Sequence, residues 1–440
     1  MAEKKRVIII GGGLAGCEAA WQLLRRGHRV FLHEMRPEKF TPAHKTEFLA
    51  ELVCSNSLKS NSIQSAPGLL KEEMRCLHSL ILTAAQEAKV DAGTALAVDR
   101  LRFSRKVEEM LNAQDNFTLI RKECAEIPED CLTIIATGPL TSESFAVSIA
   151  GLLGSSYLYF YDAIAPIIEA DSIKMEKAFW ASRYNKSTPD YLNLPLSEEE
   201  YKIFCEQLLF GEKVPPKPFE EVRHFEGCLP IETLAARGEK TMVFGPLKPV
   251  GLPHPKTGKT PYAVVQLRRE NSFGTLFNMV GFQTKLTWPE QRRIFRLIPG
   301  LEEAQFARYG SIHRNTYINA PAHLRKSLQL NIKPTVLFAG QIIGVEGYVE
   351  SAAMGLLAGL NAAFILEEKE LQPPPPVTCL GALINYITSP PLNSFQPMNI
   401  NYGLLDPLGK NKIRKKDKKA LYAKRSLESL RQWMSDYCID

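Results

Sequence analysis

Two rhythms of apolar and polar positions run along this chain, and they predict its elements. Val7-Ile8-Ile9-Ile10 is an unbroken β-branched run, the signature of a strand buried on both faces in a parallel sheet. Gly11-Gly12-Gly13-Leu14-Ala15-Gly16 opens a helix through Leu24 that Gly27 ends, and Val30 to Glu34 reads as a second strand. Residues 37–68 are rich in Pro, Ser and Asn and have little periodicity. Long irregular segments of this kind in compact domains are often functional. Leu69, Leu70, Met74, Leu77, Leu80, Ile81 and Ala84 then recur at helical spacing and predict a helix.

Further along, Leu132 to Ile135 is another buried-strand run, ending in the turn Ala136-Thr137-Gly138. Residues 155–330 mix short strands with Pro-rich loops and lack a βαβ rhythm, so they read as an inserted domain. Val336 to Gly340 returns to the buried-strand style, and Tyr348 to Leu366 predicts a helix. Pro373–Pro376 reads as a stiff linker. From about Lys415 a last helix places Leu427, Leu430, Met434 and Tyr437 on one face. No internal repeat is present. The expected division is 1–155 with 330–440 as one discontinuous α/β domain, and 156–329 as an inserted α/β or α+β domain.

Composition narrows the class. Among 440 residues, 45% are hydrophobic and 23% charged, which excludes a disordered chain, a collagen-like chain and a small disulfide scaffold. The nine cysteines, an odd number without CxxC spacing, predict no zinc or iron–sulfur site and no other metal. There is no signal segment and no apolar stretch of about 18 residues, so no membrane span is expected. These features predict a cytoplasmic protein with reduced thiols.

The net charge of +6 is uninformative until it is divided. Residues 410–425 hold nine Lys/Arg and one acid, and residues 236–330 hold fifteen Lys/Arg and five acids. These segments carry +8 and +10, leaving −12 on the rest. Two basic segments on an otherwise acidic chain make local positive fields suited to a polyanion.

The chemistry begins at Gly11-x-Gly13-x-x-Gly16. Glycines between a strand and a helix allow close backbone approach to a pyrophosphate, which sits on the helix N-terminus. Glu34 ends the second strand 23 positions after Gly11, where a carboxylate accepts hydrogen bonds from ribose hydroxyls. Two later segments favour FAD over NAD. Ala136-Thr137-Gly138 resembles the second signature of the two-dinucleotide-fold flavoproteins. Ala339-Gly340-Gln341, with Gly344, Gly347 and Glu350-Ser351-Ala352, resembles their last. Gln341 stands where many such proteins carry Asp. No second GxGxxG is present, so a nicotinamide donor is expected to reduce the flavin directly. The candidate cofactor residues are Gly11, Gly12, Gly13, Leu14, Ala15, Gly16, Glu34, Arg36, Asn56, Ala136, Thr137, Gly138, Gly340, Gln341, Gly347, Glu350, Ser351 and Ala352.

Two cysteines stand apart. Cys54 lies in Glu51-Leu52-Val53-Cys54-Ser55-Asn56-Ser57, within the irregular segment. Cys228 lies in Phe225-Glu226-Gly227-Cys228-Leu229-Pro230, just after Arg223 and His224, and nearby cations favour the reactive thiolate. Cys17, Cys76, Cys124, Cys131, Cys205, Cys379 and Cys438 read as inert.

These stretches, together with GFQTKLTWPEQRRIFRLIPGLE, YGSIHRNTYINAP, AGQIIGVEGYVESAAMGL and NYGLLDPL, resemble the folate- and FAD-dependent tRNA (uracil-5-)-methyltransferases over nearly the whole chain. The larger tRNA wobble-uridine modification flavoproteins share the nucleotide motifs, but the chain lacks their extra C-terminal domain. The family resemblance implies methylation of C5 of the T-loop uridine 54 of tRNA. Its carbon donor is 5,10-methylenetetrahydrofolate, with reduced FAD as carrier and reductant and NADH or NADPH as electron source. It maps the two functional cysteines onto Cys54 and Cys228. A thiolate suits addition to uracil C6, which makes C5 nucleophilic. Cys228 is assigned that addition and Cys54 the flavin side or the C5 proton, with the exchanged assignment left open.

For the pterin ring of the folate, Trp288 and His313 are the flat candidates, and Trp288 serves equally as an RNA contact or a core residue. Lys285, Arg292, Arg293, Arg296 and Arg314 are candidate cations for the folate tail and RNA phosphates, and Lys415, Lys416, Lys418 and Lys419 for RNA. Three other readings stand beside this one. They are the same chemistry on a ribosomal RNA uridine, a non-catalytic RNA-binding flavoprotein acting in tRNA folding, and a plain NAD(P)H–flavin oxidoreductase. The sequence carries no signal for oligomeric state.

Overall fold

The β-branched run Arg6–Ile10 forms the middle strand of a five-stranded parallel sheet, a position that buries both of its faces. Its neighbours are Arg29–His33 on one side and Leu132–Ile135 on the other, with Phe117–Ile120 and Val336–Phe338 at the edges. The protein is described here by a computed structural model covering residues 6–154, 158–185, 188–214, 229–271, 274–390, 395–408 and 414–439. The parallel sheet with helices is the Rossmann-type α/β arrangement expected from the strand–glycine–helix pattern.

Helix Leu14–Arg25 lies against helix Tyr348–Leu366 at backbone contact. A Cβ on Gly355 would stand 2.2 Å from the Ala15 carbonyl oxygen, and one on Gly359 would stand 2.6 Å from that of Ala19. Only glycine permits this approach. Helix Tyr348–Leu366 corrects the expectation of no long apolar stretch: its 19 residues are long and apolar enough to cross a membrane. Within the fold nearly all of its residues are buried, which is the environment of a core helix.

The expected helix through Leu69 and Ala84 is two helices, Ala66–Cys76 and Leu80–Glu87. The break has a cause. Ser79 caps the second helix through the Leu82 amide, and buried Glu18 accepts from the Ser79 hydroxyl and from the Leu80 and Ile81 amides. His78 takes a left-handed φ of 55° to make the corner. The proline run is not a free spacer, because Leu371 and Pro374 are buried and the Pro375 carbonyl accepts from Thr378.

A second body is built on a six-stranded antiparallel sheet, in the order Phe179–Ala181, Tyr191–Leu196, Ala263–Arg269, Leu276–Met279, Ile167–Glu169 and Phe306–Arg308. Helices Glu198–Phe210, Ile231–Ala236 and Trp288–Phe295 contribute to its core. Its core residues run from Ile168 to Phe306, whereas the nucleotide-side core draws on Val7–Ile149 and Tyr317–Ile439. The chain leaves along Leu158–Ile164 and returns along Ser311–Tyr317, and these two strands pair antiparallel.

Candidate functional site

The carbonyl ends of the parallel strands open onto a cleft of about 1030 Å³, counting its open mouth. Strand ends and helix starts from three separate segments line it. Gly11, Gly12, Gly13, Leu14 and Ala15 come from the first turn, Ala136, Thr137 and Gly138 from the second, and Gly340, Gln341 and Ser351 from the third. Helix Leu14–Arg25 starts at Gly13 with no side-chain cap, so its end can serve an anion. A Cβ built on Gly13 meets nothing within 4 Å. Gly16 serves packing instead, since its Cβ would lie 1.9 Å from the Gly11 carbonyl oxygen.

Glu34 and Arg36 form the floor. Glu34 Oε2 accepts from the Gly12 amide at 3.0 Å, and Arg36 grips both carboxylate oxygens at 2.9 and 3.0 Å. The Arg36 guanidinium also reaches Glu51 at 3.0 Å and the Thr46 carbonyl at 3.1 Å, and the residue is 1% exposed. Burial opposes the Glu34 charge, but the Arg36 hydrogen bonds and charge outweigh it and hold the carboxyl below its usual range. Burial likewise opposes the Arg36 charge and is outweighed by Glu34 and Glu51. Glu51, Met35, Thr41, His44, Lys122, Glu123 and Cys124 also line the cleft. They sit on loops after strands Arg29–His33 and Phe117–Ile120, where no periodic pattern marks them. At the rim, Lys39 and Ser144 bind Glu123, holding its carboxyl down at about 2.

Cys54 sits beside the cleft. Val53 and Tyr348 line it, and the Tyr348 hydroxyl accepts from the Cys54 amide at 2.6 Å and the Ser55 amide at 3.2 Å. Arg100 donates to the Leu52 carbonyl at 2.6 Å and the Cys54 carbonyl at 3.1 Å. Arg308, from the second body, donates to the Val53 carbonyl. The irregular segment therefore delivers a thiol on a loop held from both bodies.

Asn56 lies elsewhere than expected for a cofactor contact. It is fully buried, donates to the Val98, Arg269 and Glu270 carbonyls, and accepts from Arg268 at 3.0 Å. It joins the Cys54 loop to the second body. Glu350 is also off the cleft lining: it pairs with Lys59 at 2.8 Å and accepts from the Ile400 amide. Gly347 and Ala352 do not line the cleft either. Gln341 does line it, and donates to Glu346 at 2.7 Å.

Cys228, with Arg223 and His224, lies outside the described residues. His313 and Arg314 belong to strand Ser311–Tyr317, and Lys415 and Lys416 open helix Lys415–Asp436, but their side chains are outside the described ones. Trp288 is 62% exposed and stacks on Tyr309, which stacks on Phe306. Arg292 donates to the Tyr309 hydroxyl at 3.0 Å, so the stack has a cationic edge. Arg293 is paired to Glu290, and Arg296 donates to the Ala304 carbonyl. Lys285 is half-buried beside Glu232, which accepts from its amide at 2.8 Å. Of the remaining cysteines, Cys17, Cys205 and Cys379 are buried, and burial pushes their thiols up.

Comparison with known proteins matches this architecture. The family model described as glucose inhibited division protein A covers residues 6–370. A methylenetetrahydrofolate–tRNA-(uracil-5-)-methyltransferase TrmFO of Syntrophus aciditrophicus is 59% identical over 437 residues, 99% of each chain. The TrmFO of Aquifex aeolicus is 56% identical over 433 residues, 98% of this chain and 97% of its own. The solved structure of Aquifex aeolicus GidA shares the fold, with a TM-score of 0.69 at 16% identity over 99% of this chain and 76% of that one. Identity at this level along the full length means that the chain belongs to the methylenetetrahydrofolate–tRNA-(uracil-5-)-methyltransferase (TrmFO) family.

Proposed function

We propose that this protein methylates C5 of the T-loop uridine 54 of tRNA, taking carbon from 5,10-methylenetetrahydrofolate, holding FAD in the cleft, and drawing electrons from NADH or NADPH in the cytoplasm. The observation that carries the reading is a cysteine-bearing loop seated on a dinucleotide cleft, in a chain 59% identical to a named TrmFO. The cleft residues fit FAD: an uncapped helix N-terminus and open space at Gly13 suit the pyrophosphate, and Glu34, which lines the cleft, would hold the ribose by exchanging one of the hydrogen bonds it takes from Arg36 and Gly12. The division of the chain into 1–155 with 330–440 and an inserted 156–329 is supported by its two separate cores.

When bound, FAD supplies the carrier and the reductant. The protein's residues do the rest. Cys228 adds to uracil C6, raising electron density at C5, and Cys54 as thiolate accepts the C5 proton beside the flavin. The target base must leave its stack to reach them. The exposed Trp288 face, with Arg292 at its edge, offers a flat cationic surface for pterin or base. His313, Arg314, Lys285, Lys415 and Lys416 supply positive charge or a flat ring to the folate tail and RNA phosphates.

The test is transfer of labelled carbon from methylenetetrahydrofolate to a tRNA transcript, with Cys54→Ala and Cys228→Ala alongside. Both variants should keep flavin and lose methylation. Transfer unaffected by either substitution would sink the mechanism, and labelling of a ribosomal RNA fragment in place of tRNA would redirect the substrate.

A further inference from the structure

The junction between the two bodies holds more positive charge than negative, and it surrounds the Cys54 loop. Arg100 comes from helix Arg100–Asn112 and Arg308 from strand Phe306–Arg308. Arg268 lies in strand Ala263–Arg269, and Glu270 follows that strand. Arg268 is 6% and Glu270 4% exposed. Arg100 is ion-paired with Glu270. Among the described residues, Glu270 is the one carboxylate ion-paired into this cluster of three guanidiniums. From helix Tyr348–Leu366 the cluster meets Tyr348, an acceptor toward the loop amides, and Lys59 beyond it is matched by Glu350. Partial burial and the neighbouring Arg100 disfavour the Arg308 charge and outweigh the favourable field of Tyr348, the Cys54 sulfur and Glu270. A negative charge on the Cys54 sulfur would favour the charged forms of Arg100 and Arg308 and oppose ionisation of Tyr348.

Cations partly shielded from water and in excess of anions favour any anion formed among them. The Leu52, Val53 and Cys54 carbonyls take guanidinium hydrogen bonds, which also fixes the loop's path. We propose that Arg308 and Arg100 are positioning residues that hold Cys54 as a thiolate at the cleft, and that Glu270 sets how strongly they do so. This rests on the reading of Cys54 as a working residue. It goes further in making the second body, which supplies Arg308, Arg268 and Glu270, a partner of Arg100 in setting that cysteine's reactivity.

The experiment is the pH profile of Cys54 alkylation by iodoacetamide in the flavin-loaded protein, resolved by mass spectrometry of the Cys54 peptide. Arg308→Gln removes one half-buried charge, so the profile should move to higher pH and the rate at pH 7 should fall about tenfold. Arg308→Lys keeps the charge and should stay near the parent. Glu270→Gln deepens the positive field and should move the profile to lower pH, a sign that a purely structural role does not produce. An Arg308→Gln profile superimposed on the parent overturns the proposal, as does a Glu270→Gln shift in the same direction as Arg308→Gln. Methylation by Cys54→Ala, scored separately, decides the underlying reading. If that variant methylates normally, Cys54 is not the working residue, whereas the alkylation profiles decide the electrostatic claim on their own.

Discussion

Gly355 and Gly13 separate what the fold needs from what the ligand needs. In Gly355→Ala the new methyl would lie 2.2 Å from the Ala15 carbonyl oxygen and 2.6 Å from its Cα. Restoring ordinary contact requires helices Leu14–Arg25 and Tyr348–Leu366 to part by about 1 Å. Overpacking of this kind costs about 1–3 kcal/mol, and here backbone gives way at both ends, so the upper part of that range applies. Better helix propensity returns about 1 kcal/mol, leaving a net loss of about 2 kcal/mol and a fall in Tm of about 4–8 °C. The same displacement reaches the cleft, because a Cβ on Gly340 would already stand 2.7 Å from the Ala15 side chain. Flavin absorbance after purification should therefore drop with Tm. Gly13→Ala is the counterpart. Its φ of −79° suits alanine and nothing lies within 4 Å, so the flavin-free protein should melt like the parent. The methyl would then stand where the pyrophosphate goes, and flavin should be lost. A Gly355→Ala protein that melts within about 1 °C of the parent and retains full flavin would refute the reasoning.

Four further outcomes follow from the packing and charge. Glu34→Ala leaves the Gly12 amide without its acceptor and Arg36 buried with one carboxylate, Glu51, in place of two, costing about 3 kcal/mol in denaturant unfolding. Asn56→Ala removes the Arg268 acceptor and three carbonyl donations. It should speed hydrogen exchange in residues 52–60 while flavin content holds. Glu73 is buried and its carboxyl is pushed up to about 7, chiefly by desolvation. The folded state thus keeps that proton longer than the unfolded chain, and stability falls as pH rises from about 4.5 to 7, by about 3 kcal/mol; Glu73→Gln should flatten that stretch of the Tm–pH curve. Neutralising Lys415, Lys416, Lys418 and Lys419 should weaken tRNA binding and flatten its log–log salt slope by about 0.9 per lost phosphate contact, and an unchanged slope would assign these lysines to solvent.

Legibility followed the range of the interactions. The strand Arg6–Ile10, its glycine turn and Glu34 could be read because each is coded by neighbouring residues or by a fixed spacing. The helix expected across Leu69 to Ala84 breaks at its middle, because Glu18, some sixty positions earlier, supplies the cap that starts the second helix. Asn56 was legible as a polar residue in a special loop, but its partners lie more than two hundred positions away on the second body. The apolar run of Tyr348–Leu366 spells a spanning length, and only its neighbours reveal a core helix.

Motifs of a few residues carry local backbone chemistry, so the glycine turn of the nucleotide cleft, the two cysteine motifs and the family are written in the sequence. That Arg36 is a buried clamp on Glu34 and Glu51, and that guanidiniums from both bodies converge on the Cys54 loop, emerges only once the chain is folded. The reason is physical. A charge is held in a protein interior by whichever opposite charges and carbonyls the fold brings to it, and those partners come from segments that no local pattern connects.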